Sequence, residues 1–372
     1  MKTKDQIQSE AITALGDKLK SGVEISMGVG KTRIGLKHMA SNYTDIVKFL
    51  VVAPKKAIFT SWKDEMEENG FGYLVEHVTF STYRSLTKQD LDFDCIYLDE
   101  CHSLKASHNE WLKRYVIGGG RIVGLTGTYP VRKGTEKWKM CTFYCPKVYT
   151  YNVDDAVGDN ILNDYEIFVH ELELSKKPTI TKEGKHGEFQ TSEMKEYTYW
   201  TERVQLANPG KDQQICSIQR MKSLQSFKSK EKYAKLLLDE QKTKTIVFAN
   251  TQEQADKLSN HSYHSSNADS DYNLTAFKKG DVIKLSAVEQ LSEGVTIPNL
   301  KVGIIMHSYS NNRKAAQKIG RLLRLNPDDK ATVHILCYSN SIDKTWVRNA
   351  LSSFNSKKIT WIKPKYYAGV HY

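Results

Sequence analysis

A glycine-rich turn followed by a lysine and a threonine occupies residues 26–32, where the sequence reads SMGVGKT. Gly28 and Gly30 let the backbone approach a phosphate group closely, and the amides at the start of the following helix can then cradle it. Lys31 supplies a positive charge for the β- and γ-phosphates of a nucleotide, and the Thr32 hydroxyl can hold Mg²⁺. The strict Walker pattern has one more glycine before this stretch, so the motif is the shorter Gly-x-Gly-Lys-Thr form. The alternative is an ordinary glycine turn that precedes a helix.

Two adjacent carboxylates end an apolar segment, IYLDECH, at residues 96–102. The apolar residues predict a buried strand, which places Asp99 and Glu100 at its carboxyl end. Mg²⁺ is usually bound by one or two carboxylates and keeps several waters, so we expect Asp99 to hold it through water. Glu100 is then positioned to take a proton from an attacking water molecule. The alternative is a strand that ends in a solvated acidic turn.

A pair of arginines lies in the segment QKIGRLLR, residues 317–324, which is predicted to be helical. Arg321 and Arg324 are three residues apart, so both lie on one face of that helix. An arginine aimed at a transferring phosphoryl group can stabilise the charge that develops there, an effect of about 10³–10⁵ in rate. The alternative is a basic helix face exposed to solvent.

The order of these three motifs predicts how they work together. The phosphate loop and the acidic pair lie in the first half of the chain, and the arginine pair lies in the second half. If the halves are separate domains, the motifs build one site only when the domains close. Such an arrangement converts the hydrolysis of a nucleotide into domain motion.

Short β-rich segments alternate with helical ones in both halves of the chain. The segments predicted as strands are VEIS, KFLVVAP, VEHVTFST, DCIYLDE and RIVGLTG in the first half, and KTIVFANT, DVIKLSA, KVGIIMHS and ATVHILCYS in the second. Runs of β-branched residues between helices predict parallel sheets covered on both faces. We therefore predict an α/β fold with two tandem parallel-sheet domains, a nucleotide cleft between them, and ligands at the carboxyl ends of the strands.

The predicted boundary gives a first domain of residues 1–158 and a second domain of residues 159–372. The second domain is predicted to contain a lysine-rich helical insertion at about residues 188–241, without strands and with a break at ANPGK. This insertion is interpreted either as a clamp or wedge for a duplex or as a solvated helix face.

The C-terminal residues KPKYYAGVHY combine basic and aromatic side chains and contain no acidic residue. Aromatic faces with cationic neighbours suit exposed bases, so this tail is a candidate contact with nucleic acid. The segments before it, TWVRNALSSF and ITWI, fit a final core helix and a final strand.

The formal net charge of the 372-residue chain is +11, and its isoelectric point is about 9.1. A surplus of this size favours polyanionic partners such as nucleic acid, although it also serves solubility. The apolar runs are far shorter than the ~20 residues needed to cross a bilayer, and the N-terminal MKTKDQIQSE lacks an apolar secretion core. We therefore expect a cytoplasmic protein, in the host cytoplasm if a phage encodes it. The six cysteines are expected to be reduced and structural, because their spacing supplies no four-ligand metal site.

Taken together, the motifs resemble those of the superfamily 2 helicases, in particular the Asp-Glu-x-His subgroup and the compact form common in phages. Motif I is SMGVGKT, motif Ia VVAPKKAIFTSWKDE, motif Ib FSTYRSL, motif II DECH, motif III GLTGTYP, motif IV TIVFANT, motif V LSAVEQLSEGVTIPNL and motif VI QKIGRLLR. The resemblance covers almost the whole chain. It implies two RecA-like domains that use ATP and Mg²⁺ to move along nucleic acid.

The resemblance also implies roles for single residues. Gln8, in the segment IQSEAI, reads the adenine base, and His102, Thr126 and Thr128 couple the ATP site to strand binding. Further residues implied to act on the nucleotide are Val29 in the phosphate loop, Gly294 in motif V, and Gln317, Arg321 and Arg324 in motif VI. Motif V departs from the family at Thr296, where Asp or Asn often follows Gly-Val.

Nucleic acid is implied to run across both domains, and its contacts in the family go mostly to phosphate and sugar. The candidate contact residues are Lys55, Thr82 and Arg84 in motifs Ia and Ib, Thr251 in motif IV and Ser286 in motif V. The segments MGVGKT and SWKDE are similar to those of chromatin-remodeller-type motors, which favours DNA over RNA. The alternatives are an RNA helicase and a nucleic-acid-binding scaffold with little turnover. The bare core, expected to be monomeric, suggests a protein partner that supplies specificity.

Overall fold

The computed structural model of the chain describes residues 1–26, 28–130, 132–184, 187–288, 297–307, 329–352 and 354–364. The chain divides into two compact units, Met1–Leu162 and Asn163–Tyr372. The division therefore falls after Leu162, a few residues beyond the boundary at residue 158 that the sequence predicts.

A six-stranded parallel sheet forms the centre of the first unit. Its strands are β1 (Lys20–Ile25), β2 (Phe49–Ala53), β3 (Val78–Thr82), β4 (Cys95–Asp99), β5 (Arg121–Thr126) and β6 (Lys147–Tyr151). Its helices are α1 (Lys4–Leu15), α2 (Lys31–Ser41), α3 (Ala57–Glu68), α4 (Asn109–Ile117), α5 (Glu136–Tyr144) and α6 (Val153–Gly158). The strands lie in the order β3-β2-β4-β5-β1-β6, so that β5 separates β1 from β4.

A second parallel sheet forms the centre of the second unit, with seven strands among the described residues. These strands are β7 (Tyr165–Leu172), β10 (Thr245–Phe248), β11 (Ser262–Tyr263), β12 (Lys284–Ala287), β13 (Val302–Ile305), β14 (Ala331–Tyr338) and β15 (Ile359–Ile362), in the order β11-β12-β10-β13-β14-β7-β15. The helices are α7 (Glu193–Leu206), α8 (Lys211–Ser226), α9 (Lys228–Glu240), α10 (Gln252–Leu258), α11 (Ser270–Lys279) and the helix Ile342–Ala350.

These two sheets confirm the predicted α/β fold with two parallel-sheet domains. In the first unit all five strands predicted from apolar runs are present. Every residue of β2 and β4 is buried, as a central parallel strand covered on both faces requires, whereas β3 lies at the edge of the sheet and is partly exposed. Parallel strands end at the same edge of a sheet, and motifs I, Ia, Ib, II and III lie at the carboxyl ends of β1, β2, β3, β4 and β5, respectively. The sheet therefore brings all five motifs to one edge.

The segment predicted as a strand-free helical insertion begins with a strand instead. Gly187–Thr191 forms β9, which pairs antiparallel with β8 (Ile180–Gly184). Gly187 has a backbone φ of +109°, a conformation that favours glycine and permits the sharp reversal between the strands. The sequence does not predict this strand because β8 and β9 are short and largely exposed, so neither shows the apolar pattern of a buried strand. The break predicted at ANPGK separates α7 from α8.

Helix α9, at the end of the same segment, belongs to the core of the second unit. Its buried residues Tyr233, Ala234, Leu237 and Leu238 recur at helical spacing and pack in one cluster with residues of β10, β13 and β14. The lysines of α9 therefore differ from one another in environment, and Lys230 is fully buried.

The cysteines of the chain lie mostly within the two cores. Cys95, Cys101, Cys141, Cys145 and Cys337 are buried, and Cys216 is half-buried. The Sγ atoms of Cys101 and Cys141 are 3.6 Å apart, whereas a disulfide bond requires about 2.05 Å. None of the helices within the described residues is long and apolar enough to span a membrane.

A buried ion pair between Lys230 and Asp343 gives a testable expectation for stability. Both side chains are almost fully buried, and Asp343 Oδ2 also accepts a hydrogen bond from the backbone N–H of Tyr338 at 3.2 Å. Lys230→Met leaves the carboxylate buried without its counter-charge, so we expect the free energy of unfolding to fall by about 3–5 kcal/mol. Urea denaturation measures this change.

A matched control for this variant lies on the same helix. Lys235 forms an exposed pair with Asp239 at 3.2 Å, and Lys235→Met should cost less than about 1 kcal/mol. Adding Asp343→Leu to Lys230→Met should recover much of the loss, because no unpaired charge then remains buried. Equal unfolding midpoints for Lys230→Met and Lys235→Met would contradict the expectation.

Candidate active site

The phosphate loop connects the buried strand β1 to helix α2. Gly28 and Gly30 have φ values of +91° and +94°, in the left-handed region that non-glycine residues rarely adopt. Helix α2 begins at Lys31 and has no side chain capping its first amides. These N–H groups and the positive end of the helix dipole therefore suit an anion such as a nucleotide phosphate.

Gln8, on α1, contacts the phosphate loop directly. Its side-chain Nε2 donates a hydrogen bond of 2.8 Å to the carbonyl oxygen of Val29. The side chain is almost fully buried, and its Oε1 atom accepts no hydrogen bond from the described residues. A Cβ atom on Gly30 would lie 2.9 Å from this Nε2, so only glycine fits there. Gln8 therefore offers an unused buried acceptor beside the loop, which suits an amino group of a base.

Glu100 directly follows β4 and adopts an unusual backbone conformation. Its φ is +52° and its ψ is +55°, which is uncommon for a residue with a side chain. Strain of this kind is often found at functional sites. Here it directs the carboxylate of Glu100 towards the phosphate loop, where Lys31 Nζ lies 3.5 Å from Glu100 Oε1.

The ionisation of Glu100 depends on its charged neighbours. Burial alone would raise the pKa of Glu100, but the positive charge of Lys31, the neighbouring His102 and a hydrogen bond from Thr126 together lower it below the ordinary value. Glu100 is therefore a carboxylate at neutral pH, the form that can accept a proton from water.

Asp99, the last residue of β4, differs from Glu100 in both contacts and pKa. Burial and the adjacent charge of Glu100 raise its pKa to about 6. The indole N–H of Trp62 donates to Asp99 Oδ2 at 3.0 Å, and the Tyr83 hydroxyl donates to the Asp99 carbonyl oxygen at 3.0 Å. The two neighbouring acids are thus held in different environments, which suits different roles.

Thr126, at the end of β5, joins the acidic pair to the segment that follows it. Its hydroxyl lies 3.1 Å from Glu100 Oε2 and 3.1 Å from the Thr128 carbonyl oxygen, and it can donate to either. It accepts a hydrogen bond of 3.2 Å from the Thr128 N–H. His102 Nδ1 lies 2.8 Å from this hydroxyl and 3.3 Å from Glu100 Oε2. The structure therefore brings the three predicted coupling residues into one network with Glu100.

The residues around the loop fit the Mg²⁺ that the sequence predicts. Mg²⁺ prefers oxygen ligands and usually takes only one or two carboxylates from the protein. Thr32, in the first turn of α2, offers a hydroxyl, and Asp99 offers a carboxylate that Trp62 engages through only one oxygen. Thr32 and Asp99 therefore carry oxygen donors of the kind that such an ion requires.

The three candidate nucleic-acid contacts of the first unit lie at the same edge of the sheet. Thr82 is the last residue of β3 and is paired in register with Ala53, the last residue of β2. Lys55 follows β2 and Arg84 follows β3, and both side chains are exposed. Their exposure and position are compatible with contacts to a phosphate backbone.

The two candidates of the second unit differ from each other. Thr251 is exposed at the start of α10, where its hydroxyl accepts a hydrogen bond of 3.2 Å from the Gln254 N–H. Ser286 is fully buried in β12, and its hydroxyl donates to the Ala255 carbonyl oxygen at 2.6 Å. The prediction of a phosphate contact is therefore wrong for Ser286, because no surface of its side chain is available.

Some predicted site residues lie outside the described residues. They are Gly294 of motif V and Gln317, Arg321 and Arg324 of motif VI, and the tail residues from 365 onwards also lie outside. One contact that sequence reasoning missed is the hydrogen bond from Trp62 to Asp99. The sequence signal for it is the tryptophan within motif Ia, on α3.

Family comparisons match both halves of the chain. Residues 2–131 match the family described as "Type III restriction enzyme, res subunit", and residues 217–326 match the "Helicase conserved C-terminal domain". The first match contains motifs I to III, and the second contains motifs IV to VI. Together the two matches support a helicase of superfamily 2. The chain is accordingly an ATP-hydrolysing enzyme whose activity is coupled to nucleic acid, with no finer subgroup established by these matches.

Individual proteins similar to this helicase extend the comparison. A DNA 3'-5' translocase XPB2 from Sulfurisphaera tokodaii is 23% identical over 358 residues, which cover 88% of this chain and 80% of the relative. The helicase domain of Hef from Pyrococcus furiosus has a TM-score of 0.53 and 16% identity, with 91% of this chain and 96% of that chain covered. This likeness confirms the RecA-like fold predicted for the two domains.

A larger enzyme shares the same fold over most of this chain. The ATP-dependent Type ISP restriction-modification enzyme LlaBIII bound to DNA has a TM-score of 0.62 and 16% identity. The alignment covers 98% of the helicase described here but only 31% of the restriction enzyme. The helicase therefore spans less than a third of that protein's length.

The buried acceptor of Gln8 gives an expectation for nucleotide choice. Adenine presents an amino group at the position where guanine presents an oxygen acceptor, so only adenine can donate to Gln8 Oε1. Gln8→Ala should reduce the preference for ATP over GTP by about tenfold, the effect of roughly one buried hydrogen bond. The KM values for both nucleotides measure it. Gln6→Ala on the same helix, which removes only a capping contact with Thr3, should keep the preference, and an unchanged ratio in Gln8→Ala would contradict adenine reading.

Proposed function

We propose that this helicase is an ATP-driven translocase that acts on DNA and can separate its strands. The observation that carries the proposal is the network of Glu100, Thr126, Thr128 and His102 at the carboxyl edge of the first sheet. It ties the carboxylate suited to activate water to the segment after β5. A change at this carboxylate during hydrolysis can then be transmitted through these hydrogen bonds to the other residues at that edge of the sheet.

The predicted site residues of the first unit have separate roles in this proposal. Gln8 recognises adenine, the loop residues Gly28, Val29 and Gly30 surround the phosphates, and Lys31 neutralises their charge. Mg²⁺, held by Thr32 and Asp99, would neutralise the phosphate oxygens when bound. Glu100 accepts the proton of the attacking water, and its lowered pKa keeps it ready to do so.

The proposed strand-binding residues of the first unit are Lys55, Thr82 and Arg84, with Thr251 in the second unit. The net charge of +11 supports a polyanionic ligand. The relative from Sulfurisphaera tokodaii is a DNA translocase, which supports DNA as that ligand. The aromatic and basic tail adds a candidate contact with exposed bases.

Finer features of the proposal rest on the sequence. Arg321 and Arg324 stabilise the charge of the transition state, with Gln317 and Gly294 beside the nucleotide. The segment Asp99–His102 supports the Asp-Glu-x-His subgroup. We further propose that the protein is a phage-type helicase core that is monomeric and acts in the cytoplasm. A protein partner supplies its specificity.

The decisive experiment compares ATPase rates with different nucleic acids. Single-stranded, duplex and forked DNA are tested beside the matching RNAs at one fixed salt concentration, because phosphate contacts depend strongly on salt. We expect DNA to stimulate hydrolysis more than RNA does. Stimulation by RNA alone would overturn the choice of DNA, and a rate insensitive to every nucleic acid would instead support a scaffold.

A further inference from the structure

Trp62 is a buried tryptophan on α3, the helix that begins just after Lys55. Its side chain has no exposed surface, which is unusual for the largest side chain in proteins. A buried indole N–H normally needs an acceptor. In this chain the acceptor is a carboxylate oxygen of Asp99, 3.0 Å away. A neutral backbone carbonyl would satisfy the indole equally well, so this choice of acceptor calls for a reason.

The far side of the same indole contacts the helix that begins at the phosphate loop. A Cβ atom on Gly35, in α2, would lie 2.6 Å from Cη2 of Trp62 and 3.1 Å from Cδ1 of Leu125. Only glycine therefore allows the indole to lie directly against the backbone of α2. The ring occupies the space between the helix that follows the phosphate loop and the acid at the end of β4.

Helix α3 connects this indole to the proposed strand-binding edge. Lys55 precedes the helix, and its carbonyl oxygen accepts a hydrogen bond of 3.2 Å from the Ile58 N–H. Trp62 lies seven residues after Lys55, about two helical turns or ~10 Å along the axis. A helix moves as a stiff rod, so a displacement of its first turn is carried to the indole.

We propose that Trp62 is a positioning residue that orients Asp99 for Mg²⁺ and transmits strand binding at the start of α3 to the ATP site. The indole N–H fixes one oxygen of Asp99, and the ring fixes the spacing between Asp99 and α2. Binding of a strand at Lys55 shifts or steadies α3 and so completes the metal site. This proposal rests on the proposed function, which assigns Asp99 to the metal and Lys55 to the strand.

The test removes the indole N–H but keeps an aromatic ring in the core. Trp62→Phe is compared with wild type in the binding of a fluorescent, non-hydrolysable ATP analogue, with and without Mg²⁺. We expect the gain in affinity that Mg²⁺ produces to fall by about tenfold, the usual effect of losing a hydrogen bond to a metal-binding residue. Affinity without metal should stay near wild type, since the phosphate loop is intact. Stimulation of ATPase by single-stranded DNA should fall by a similar factor.

A matched control separates this role from packing. Trp111 is also a nearly buried tryptophan of the first unit, and its indole donates 2.9 Å to the backbone carbonyl oxygen of Gln89. Trp111→Phe removes the same kind of group without touching Asp99. It should keep both the Mg²⁺ effect and the stimulation by DNA. Equal behaviour of the Trp62→Phe and Trp111→Phe variants would overturn the proposal.

Asp99→Asn distinguishes failure of this inference from failure of the proposed function. Loss of the Mg²⁺ effect in Asp99→Asn but not in Trp62→Phe overturns the inference alone. An unchanged Mg²⁺ effect in Asp99→Asn overturns the assignment of Asp99 to the metal, and the inference with it.

A second measurement serves if Trp62→Phe does not fold. Indole N–H signals of ¹⁵N-tryptophan-labelled wild type and Asp99→Asn are compared by NMR, and single-stranded DNA is then added to the wild type. We expect the indole signal that moves in Asp99→Asn to move also when DNA binds. No indole signal common to both changes would overturn the coupling.

Discussion

Replacing Glu100 by glutamine should lower the turnover number of the ATPase by about 10²–10⁴-fold, the usual contribution of a general base. Glutamine keeps the size of the side chain, and its amide oxygen can still accept the hydrogen bond from Thr126. It cannot take a proton from water at neutral pH. Binding of ATP should survive, because the phosphate loop and Lys31 are unchanged. The expected result is a protein that binds ATP and nucleic acid but stops before hydrolysis.

Single-turnover hydrolysis and equilibrium binding of ATP measure the two halves of this expectation. Glu110→Gln makes the same chemical change at an exposed position on α4, and it should hydrolyse ATP at the wild-type rate. A Glu100→Gln variant with full turnover would show that another group activates the water. A variant that no longer binds ATP would show that Glu100 acts in the structure of the site.

Most of the site at the carboxyl edge of the first sheet could be predicted, because its residues follow apolar runs that form parallel strands. The apolar runs before the phosphate loop and before Asp99 are long enough to be buried strands. Once both are parallel strands, their carboxyl ends must meet at one edge of the sheet. Lys31 and Glu100 are therefore expected at the same edge, and the distance of 3.5 Å between Nζ and Oε1 agrees with this expectation.

Contacts that depend on packing could not be predicted in the same way. Trp62 reaches Asp99 only because Gly35 leaves room for the indole against α2. Nothing in the spacing of these three residues along the chain indicates their contact. Periodicity gives the face of a helix that is buried, but it does not give the partner of each side chain.

Ser286 is a second case in which the sequence was insufficient, because its place in motif V suggested a contact with nucleic acid although its side chain is buried. Its strand, β12, lies between β10 and β11 in the sheet, so its side chains alternate between covered faces. The hydroxyl of Ser286 is satisfied by the Ala255 carbonyl oxygen of α10. A serine near a helicase motif can thus serve packing between strand and helix, and the sequence alone does not separate the two uses.

Replacing Lys31 by alanine should remove nearly all turnover, by at least about 10²-fold, because a fixed charge that stabilises the transferring phosphate is lost. A second effect follows from the pKa of Glu100. Burial raises that pKa, and Lys31 is the first of the groups that bring it down. Without Lys31 the pKa of Glu100 should rise, and the carboxylate form required for catalysis should appear only at higher pH. The acid limb of the residual pH–rate profile should therefore move upwards.

Three variants measured across pH separate charge from position. Lys31→Arg keeps a positive charge near Glu100, so its acid limb should stay near that of wild type although its rate is low. Lys37→Ala, on the same helix, removes only a surface pair with Asp5 at 2.9 Å, and it should leave rate and pH profile unchanged. If Lys31→Ala were slow but had the same acid limb in its pH–rate profile as wild type, the lysine would act on the phosphates and not on the pKa of Glu100. The carboxylate of Glu100 would then owe its ionisation to His102 and Thr126, the two other groups that lower its pKa.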